Sequence, residues 1–138
     1  MRVVGLDVGT KRIGVAVSDP MGWTAQGYGV LQRQGARILE TLCRIVQEVG
    51  AEEVVVGLPR RTDGTLGDEA KEVMEFAEEL KEALKLPVVF WDERFSTAEA
   101  ERVLLMADQS RKKRRKVIDK LAAVIILQGY LDSRREKG

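Results

Sequence analysis

An aspartate inside the first apolar run of the chain constrains the fold more than any other residue. Two short apolar runs, Val3–Val8 and Ile13–Val17, are joined by a glycine-containing turn with Lys11 and Arg12. This pattern predicts a β-hairpin. Asp7 lies within the first run, where an unpaired charge is expensive to bury. A cation, a hydrogen-bonding shell or a metal ion must therefore compensate the carboxylate, and an ion pair with Lys11 or Arg12 across the turn is the simplest alternative.

Composition limits the chemistry in which this aspartate can take part. The chain has 138 residues, 44% of them hydrophobic and 33% charged, so one domain spanning residues 1–138 is expected. It contains no histidine, which excludes histidine-based triads and histidine-ligated zinc. Its single cysteine, Cys43, cannot form an internal disulfide, and the N-terminus has no signal-peptide pattern. We therefore expect a cytoplasmic setting and a site made of carboxylates, lysines and hydroxyls.

The order of predicted elements indicates a layered α/β domain. The hairpin is followed by a strand over Thr24–Leu31, a helix over Gly35–Val49, a strand over Glu53–Leu58, a helix over Asp68–Leu84, a strand over Val88–Trp91, a helix from Ser96 to about Met106, a polar loop over Asp108–Lys116 and a last helix from Val117 to about Arg134. This order predicts a mixed sheet, because a meander of three strands is followed by two strands that alternate with helices. We expect Trp23, Trp91 and Met74 in the core.

Three acidic positions are expected at one edge of this sheet. Functional groups gather at the carboxyl ends of the strands in an α/β sheet, where Asp7 and the segment Asp92–Arg94 lie. Asp92 and Glu93 face opposite ways along a strand, so one of them can point towards Asp7. Asp119 lies near the start of the last helix, followed by two alanines that let the helix approach the sheet closely. The alternatives are a solvated loop with a local ion pair at Asp92–Arg94, and an aspartate that only stabilises a helix N-terminus.

Asp7, Glu93 and Asp119 together form a carboxylate cluster that would strongly repel itself without a cation. Such hard oxygen ligands suit Mg²⁺ or Mn²⁺, and we expect one or two ions. Two ions about 4 Å apart can activate a water and stabilise the leaving oxygen of a phosphodiester. The trio therefore predicts a catalytic, metal-binding site that acts on phosphodiesters.

A run of consecutive cations, Arg111–Lys116, leads directly into the helix that carries Asp119. A basic run is often only a solvated segment, but this one is predicted to lie beside the acidic cluster, where a phosphate backbone would have to lie. The predicted nucleic-acid-binding residues are Lys11, Arg60, Arg61, Arg94, Arg111, Lys112, Lys113, Arg114, Arg115 and Lys116. The expected partner is therefore a structured nucleic acid.

Four stretches, spread in order over nearly the whole chain, resemble one known family. They are Gly5–Ala16, Val56–Pro59 with Asp63-Gly64, Asp92–Arg94 with Ser96-Thr97, and Lys116–Leu131. These stretches resemble the YqgF/RuvX family. The resemblance implies a ribonuclease-H-like fold related to the Holliday-junction resolvase RuvC, with strand order 3-2-1-4-5. It also implies a metal-dependent nuclease whose acidic site is Asp7, Glu93 and Asp119. Arg61 departs from the pattern, because many relatives have an uncharged polar residue there.

The resemblance implies two alternative substrates. One is the precursor of 16S ribosomal RNA, trimmed at its 5′ end during ribosome biogenesis, and the other is the four-way DNA junction of recombination and repair. We expect RNA processing, because that is the role implied by the resemblance to bacterial YqgF proteins, although the residues themselves do not separate the two. A junction resolvase should be a symmetric dimer, and the sequence leaves monomer and homodimer open.

Two other classes of function are less well supported. The segment Asp7–Thr10 also resembles the phosphate loop of sugar kinases and actin-like ATPases, but those proteins need two such domains and this length supplies one. A non-catalytic nucleic-acid-binding module would use only the basic run. The acidic trio argues against it, because carboxylates near phosphates weaken binding unless a metal intervenes. No membrane contact is expected, because the longest apolar run, Leu121–Leu127, is too short to span a bilayer.

Overall fold

The computed structural model describes residues 1–33, 37–59, 65–92 and 111–137, and within the last helix it describes the side chains of 121–134. The strands are β1 (Val3–Val8), β2 (Arg12–Ser18), β3 (Ala25–Gln32), β4 (Glu53–Leu58) and β5 (Val88–Asp92). The helices of the described part are α1 (Ile38–Val49), α2 (Asp68–Leu84) and α3 (Arg111–Lys137). The helix predicted from Ser96 to about Met106 lies outside the described residues.

The five strands form one mixed sheet in the order β3-β2-β1-β4-β5, which confirms the predicted order. The pairs β1–β2 and β2–β3 are antiparallel, as expected of a meander, whereas β4 runs parallel to both β1 and β5. The carboxyl ends of β1, β4 and β5 therefore meet at one edge of the sheet. We call this edge the carboxyl edge, and Asp7 lies there.

Alternation along the strands gives the sheet two buried faces, each covered by helices. Val4 and Leu6 of β1 belong to a core shared with α1 and α2, where Leu42 and Leu80 are buried. Val3 of β1 belongs instead to a second core that is built with α3. Because side chains alternate along a strand, Asp7 lies on the same face of β1 as Val3, which is the face that α3 covers.

The contact between α3 and β1 is close because Gly5 has no side chain. A β-carbon at Gly5 would lie 2.7 Å from Cβ of Leu127 and 3.3 Å from the carbonyl oxygen of Ala123. Both distances are too short for an undisturbed contact, so any larger residue would push the helix away from the strand. The alanine of α3 that was predicted to permit a close approach, Ala123, is fully buried at this contact.

Two sequence predictions about the core are wrong. Met74 is 38% exposed, whereas Phe76 is buried, because the inward face of α2 follows the spacing Val73, Phe76 and Leu80. Trp23 is 54% exposed. It lies before β3 in a turn where the Asp19 carboxylate accepts hydrogen bonds from the backbone N–H groups of Trp23 and Thr24, and these bonds lower the pKa of Asp19.

The boundary of the last helix also differs from the prediction. The segment Arg111–Lys116 was predicted to be a polar loop before a helix that begins at Val117, but it forms the first turns of α3. Lysine and arginine have long unbranched side chains that lose little rotamer freedom in a helix. Their helix propensity outweighs the repulsion between their like charges. The cations are therefore on the same rigid element as Asp119.

We predict that Gly5→Ala lowers the free energy of unfolding by roughly 1–3 kcal/mol, because the added methyl group meets α3. The matched control is Gly29→Ala in β3, where an added β-carbon has no atom within 4 Å. Urea denaturation of the two variants measures the difference. Equal stabilities of the two variants would show that α3 does not press on β1 as described.

Candidate active site

Asp7 is the penultimate residue of β1 and its side chain is half-buried at the carboxyl edge. Its cross-strand partner in β2 is Gly14, which has no side chain to cover the carboxylate. The strand continues into a tight turn in which the Gly9 N–H donates to the Arg12 carbonyl oxygen at 2.8 Å. A β-carbon at Gly9 would lie 2.9 Å from the same oxygen, so this turn requires a glycine. The carboxylate is thus held beside a turn of fixed shape.

A cavity of about 250 Å³ opens beside Asp7 at the carboxyl ends of β1 and β4. Its described lining consists of Asp7, Val8, Gly9, Thr10, Arg33, Pro59, Glu69, Glu72 and Val73. Three carboxylates and one guanidinium are therefore the charged groups of this lining. Neither Arg33 nor the two glutamates of α2 was identified from the sequence, since they are far from the acidic motifs and belong to no recognisable pattern.

Asp119 is carried towards the same edge by the direction of α3. Tyr130, near the other end of the helix, donates a hydrogen bond of 2.6 Å to the carboxylate of Glu53, which begins β4. The helix therefore runs antiparallel to β1, with Ala123 over Gly5. Asp119 precedes Ala123 by one turn, about 6 Å, and Asp7 follows Gly5 by two strand residues, about 7 Å. The backbone of Asp119 thus lies over the end of β1 that carries Asp7.

The other acidic candidates follow β5. Asp92 ends this strand, pairs with Leu58 of β4 and is half-buried. Trp91 packs into the core beneath α3, so Asp92, its neighbour in the strand, lies on the opposite face from Asp7. Glu93 and Arg94 lie outside the described residues. Within the part of the chain that the structure describes, no three side chains of the types Asp, Glu, His and Cys are grouped closely enough to hold a metal ion.

The predicted basic residues are divided between described and undescribed parts of the chain. Lys11 is exposed in the β1–β2 turn, next to the cavity-lining residues Gly9 and Thr10. Arg60 and Arg61 lie outside the described residues. The run Arg111–Lys116 precedes Asp119 within one continuous helix. The structure therefore places Lys11 and the backbone of this run at or near the carboxyl edge.

The far end of α3 is fixed by polar and aromatic contacts with Glu53, the first residue of β4, and with Trp91 of β5. The Glu53 carboxylate accepts hydrogen bonds from the Tyr130 hydroxyl and, at 3.1 Å, from the Arg134 guanidinium. Partial burial and the bond to Glu53 raise the pKa of Tyr130 to about 12. The Trp91 ring meets the Tyr130 ring edge-on, with centroids 6.3 Å apart. These contacts set the position of the helix along its own axis.

The sheet order, the helix packed against β1 and the aspartate on that strand define a ribonuclease-H-like fold of the RuvC type. Thermus thermophilus RuvC superposes with a TM-score of 0.59 at 18% identity, over 99% of this chain and 97% of that one. The Holliday junction resolvase of fowlpox virus gives a TM-score of 0.58 at 13% identity, over 97% and 99% of the two chains. At these identities the likeness shows the fold alone, and it confirms the predicted fold class.

The chain belongs to the RuvX family. The family model described as "RuvX: Holliday junction resolvase" matches residues 1–133. A protein of Syntrophomonas wolfei is 59% identical over 133 residues, covering 96% of this chain and 94% of its own length. One from Desulforamulus reducens is 52% identical over 134 residues, with 96% and 98% covered. Both relatives bear the name "Putative pre-16S rRNA nuclease". Among the described helices, none is long and apolar enough to cross a membrane.

The raised pKa of Tyr130 yields a direct test of how α3 is anchored. The chain has two tyrosines, so Tyr28→Phe leaves Tyr130 as the only phenol. Its phenolate absorbance should then titrate near pH 12 rather than near the ordinary value of 10. Since the folded-state pKa is the higher one, the stability from this group is fully present below pH 10 and is lost as the pH rises towards 12. A spectroscopic midpoint near 10 in the folded protein would contradict the contact with Glu53.

Proposed function

We propose that this protein is a metal-dependent endonuclease that hydrolyses phosphodiester bonds, and that it trims the 5′ end of the 16S ribosomal RNA precursor. The observation that carries the proposal is the half-buried Asp7 carboxylate at the carboxyl edge, on the face of the sheet where α3 is closely packed against β1. Membership of the RuvX family and the names of relatives at 52–59% identity support a nuclease that acts on this RNA.

The residues fit a divalent metal ion. Asp7 lies where the cavity opens, and the line of α3 brings Asp119 over the same strand end. Since Asp92 lies on the opposite face of the sheet, we assign the remaining acidic position to Glu93. The three residues that would hold the metal are thus Asp7, Glu93 and Asp119, all with hard oxygen donors that suit Mg²⁺ or Mn²⁺. A bound ion would lower the pKa of a water and neutralise charge that develops on the phosphate.

The protein's own residues would orient the substrate around this centre. Asp7 is fixed by the β-sheet and by the glycine turn that follows it, so its carboxylate needs little reorganisation when the substrate binds. The cations Arg111–Lys116 share a helix with Asp119, and phosphate contacts made by that segment would fix the register of the nucleic acid relative to the carboxylates. Lys11 and, by the sequence pattern, Arg60, Arg61 and Arg94 would add further phosphate contacts.

Resolution of four-way DNA junctions is the second candidate function. The description of the matching family model favours it, and so does the shared fold with a Thermus thermophilus RuvC that was solved with a Holliday junction substrate. We place RNA processing first because the relatives that carry that name are far more similar to this chain than RuvC is, at 59% against 18% identity.

We predict that Asp7→Asn lowers cleavage by at least about a hundredfold and leaves nucleic-acid binding within a fewfold, because the variant loses a metal-binding charge but no phosphate contact. Cleavage should be measured with Mg²⁺ or Mn²⁺ on a 16S ribosomal RNA 5′ leader and on a mobile four-way DNA junction. The control is Glu48→Gln, which removes an exposed carboxylate on α1 and should leave cleavage unchanged.

Each outcome of this assay has a definite meaning. Cleavage of the RNA alone, dependent on Asp7, supports the proposed role, whereas cleavage of the junction alone would make the protein a resolvase. Full activity of Asp7→Asn would exclude the proposed site. Tight binding without a metal, together with no cleavage of either substrate in its presence, would instead indicate a non-catalytic nucleic-acid-binding module.

A further inference from the structure

Arg33, the residue directly after β3, makes three separate contacts beside the Asp7 cavity. Its Nη1 donates a hydrogen bond of 2.9 Å to the carbonyl oxygen of Gly9. Its backbone N–H donates to the carbonyl oxygen of Lys11, also at 2.9 Å. Its guanidinium carbon lies 5.4 Å from the centroid of the Phe76 ring. One side chain thus joins the tip of the β1–β2 hairpin to helix α2.

The anchor on α2 is rigid. Phe76 is buried, with 7% of its surface exposed, and it belongs to the core shared by α1, α2 and the sheet. A planar guanidinium over an aromatic face loses little freedom when it also donates to a carbonyl oxygen. The Arg33 guanidinium, fixed by Phe76, therefore holds the β1–β2 turn in addition to the turn's own hydrogen bond between Gly9 and Arg12.

The charges of the cavity favour a role in positioning over a direct phosphate contact. Asp7, Glu69 and Glu72 bring three carboxylates to the described lining, and Arg33 brings one positive charge. A phosphate that approached this lining without a metal would meet a net negative field. The guanidinium also has one nitrogen engaged by Gly9 and its face near Phe76.

We propose that Arg33 is a positioning residue that fixes the turn Gly9–Lys11 and thereby holds the Asp7 carboxylate in its reactive place. Asp7 is two residues from Gly9, so a shift of the turn moves the end of β1 that carries the carboxylate. Displacements of about 1 Å at a reactive group can cost about a hundredfold in rate. The catalytic part of this inference rests on the proposed nuclease function, whereas the contact between Arg33 and the turn does not.

The test compares Arg33→Met and Arg33→Lys with Arg44→Met, a control that removes an exposed arginine from α1 outside the cavity. Arg33→Met should lower kcat about tenfold or more with KM within about twofold. Arg33→Lys keeps a charge and a donor but not the planar group, so its kcat should fall between those of Arg33→Met and the unmodified chain. The control should match the unmodified chain.

A second readout needs no substrate. Hydrogen exchange of the Gly9 amide, which donates within the turn, should become about tenfold faster in Arg33→Met and stay unchanged in Arg44→Met. Unchanged exchange at Gly9 would overturn the inference. The inference would also be overturned if Arg33→Met had an unchanged kcat, a higher KM and a salt dependence of binding weaker by about one phosphate contact. That pattern indicates that Arg33 contacts the substrate directly. If the unmodified chain cuts neither substrate, the proposed function fails, and the exchange experiment still decides whether Arg33 holds the turn.

Discussion

The close packing of α3 on β1 is the constraint on which the rest of the structure depends. It is possible because Gly5 leaves room for Leu127 and for the backbone at Ala123. A helix that rests directly on a strand can carry a polar residue from its own first turns to the end of that strand. The backbones of Asp7 and Asp119 are therefore brought to one edge by the contact of Gly5 with Leu127 and with the carbonyl oxygen of Ala123. The bond between Tyr130 and Glu53 at the other end of the helix fixes its position along the strand.

The Asp7 carboxylate lies between groups that are fixed independently of it. On one side the β1–β2 turn is closed by the bond from Gly9 to Arg12 and is held by Arg33, which also contacts Phe76 of α2. On the other side the sheet places Gly14 opposite the carboxylate. A charged group held in a fixed place at the carboxyl edge is a candidate for a functional role, because such groups cluster at functional sites. Divalent metal binding, the role proposed for Asp7, would match its hard oxygen donors and the basic segment that begins α3.

Much of the fold could be predicted because the short strands are apolar runs bounded by glycine, proline and polar residues. The bounds of β4 and α2 agree with the sequence pattern at both ends. The sequence pattern did not predict the burial of side chains whose environment is set by tertiary contacts. Periodicity alone could not choose between Met74 and Phe76 as the inward residue of α2, and the exposure of Trp23 depends on a turn held by Asp19. Arg33 could not be found from the sequence, because its role arises from three contacts with residues distant in the chain.

Anomalous scattering of manganese in crystals of the protein soaked with Mn²⁺ tests directly whether Asp7 binds a metal ion. We expect a manganese peak at the carboxyl edge, bound by the carboxylate of Asp7 together with Glu93 and Asp119, and no such peak in crystals of Asp7→Asn. A peak held by Glu69 and Glu72 on α2 instead, or no peak near Asp7 at a concentration of Mn²⁺ that supports cleavage, would contradict this expectation.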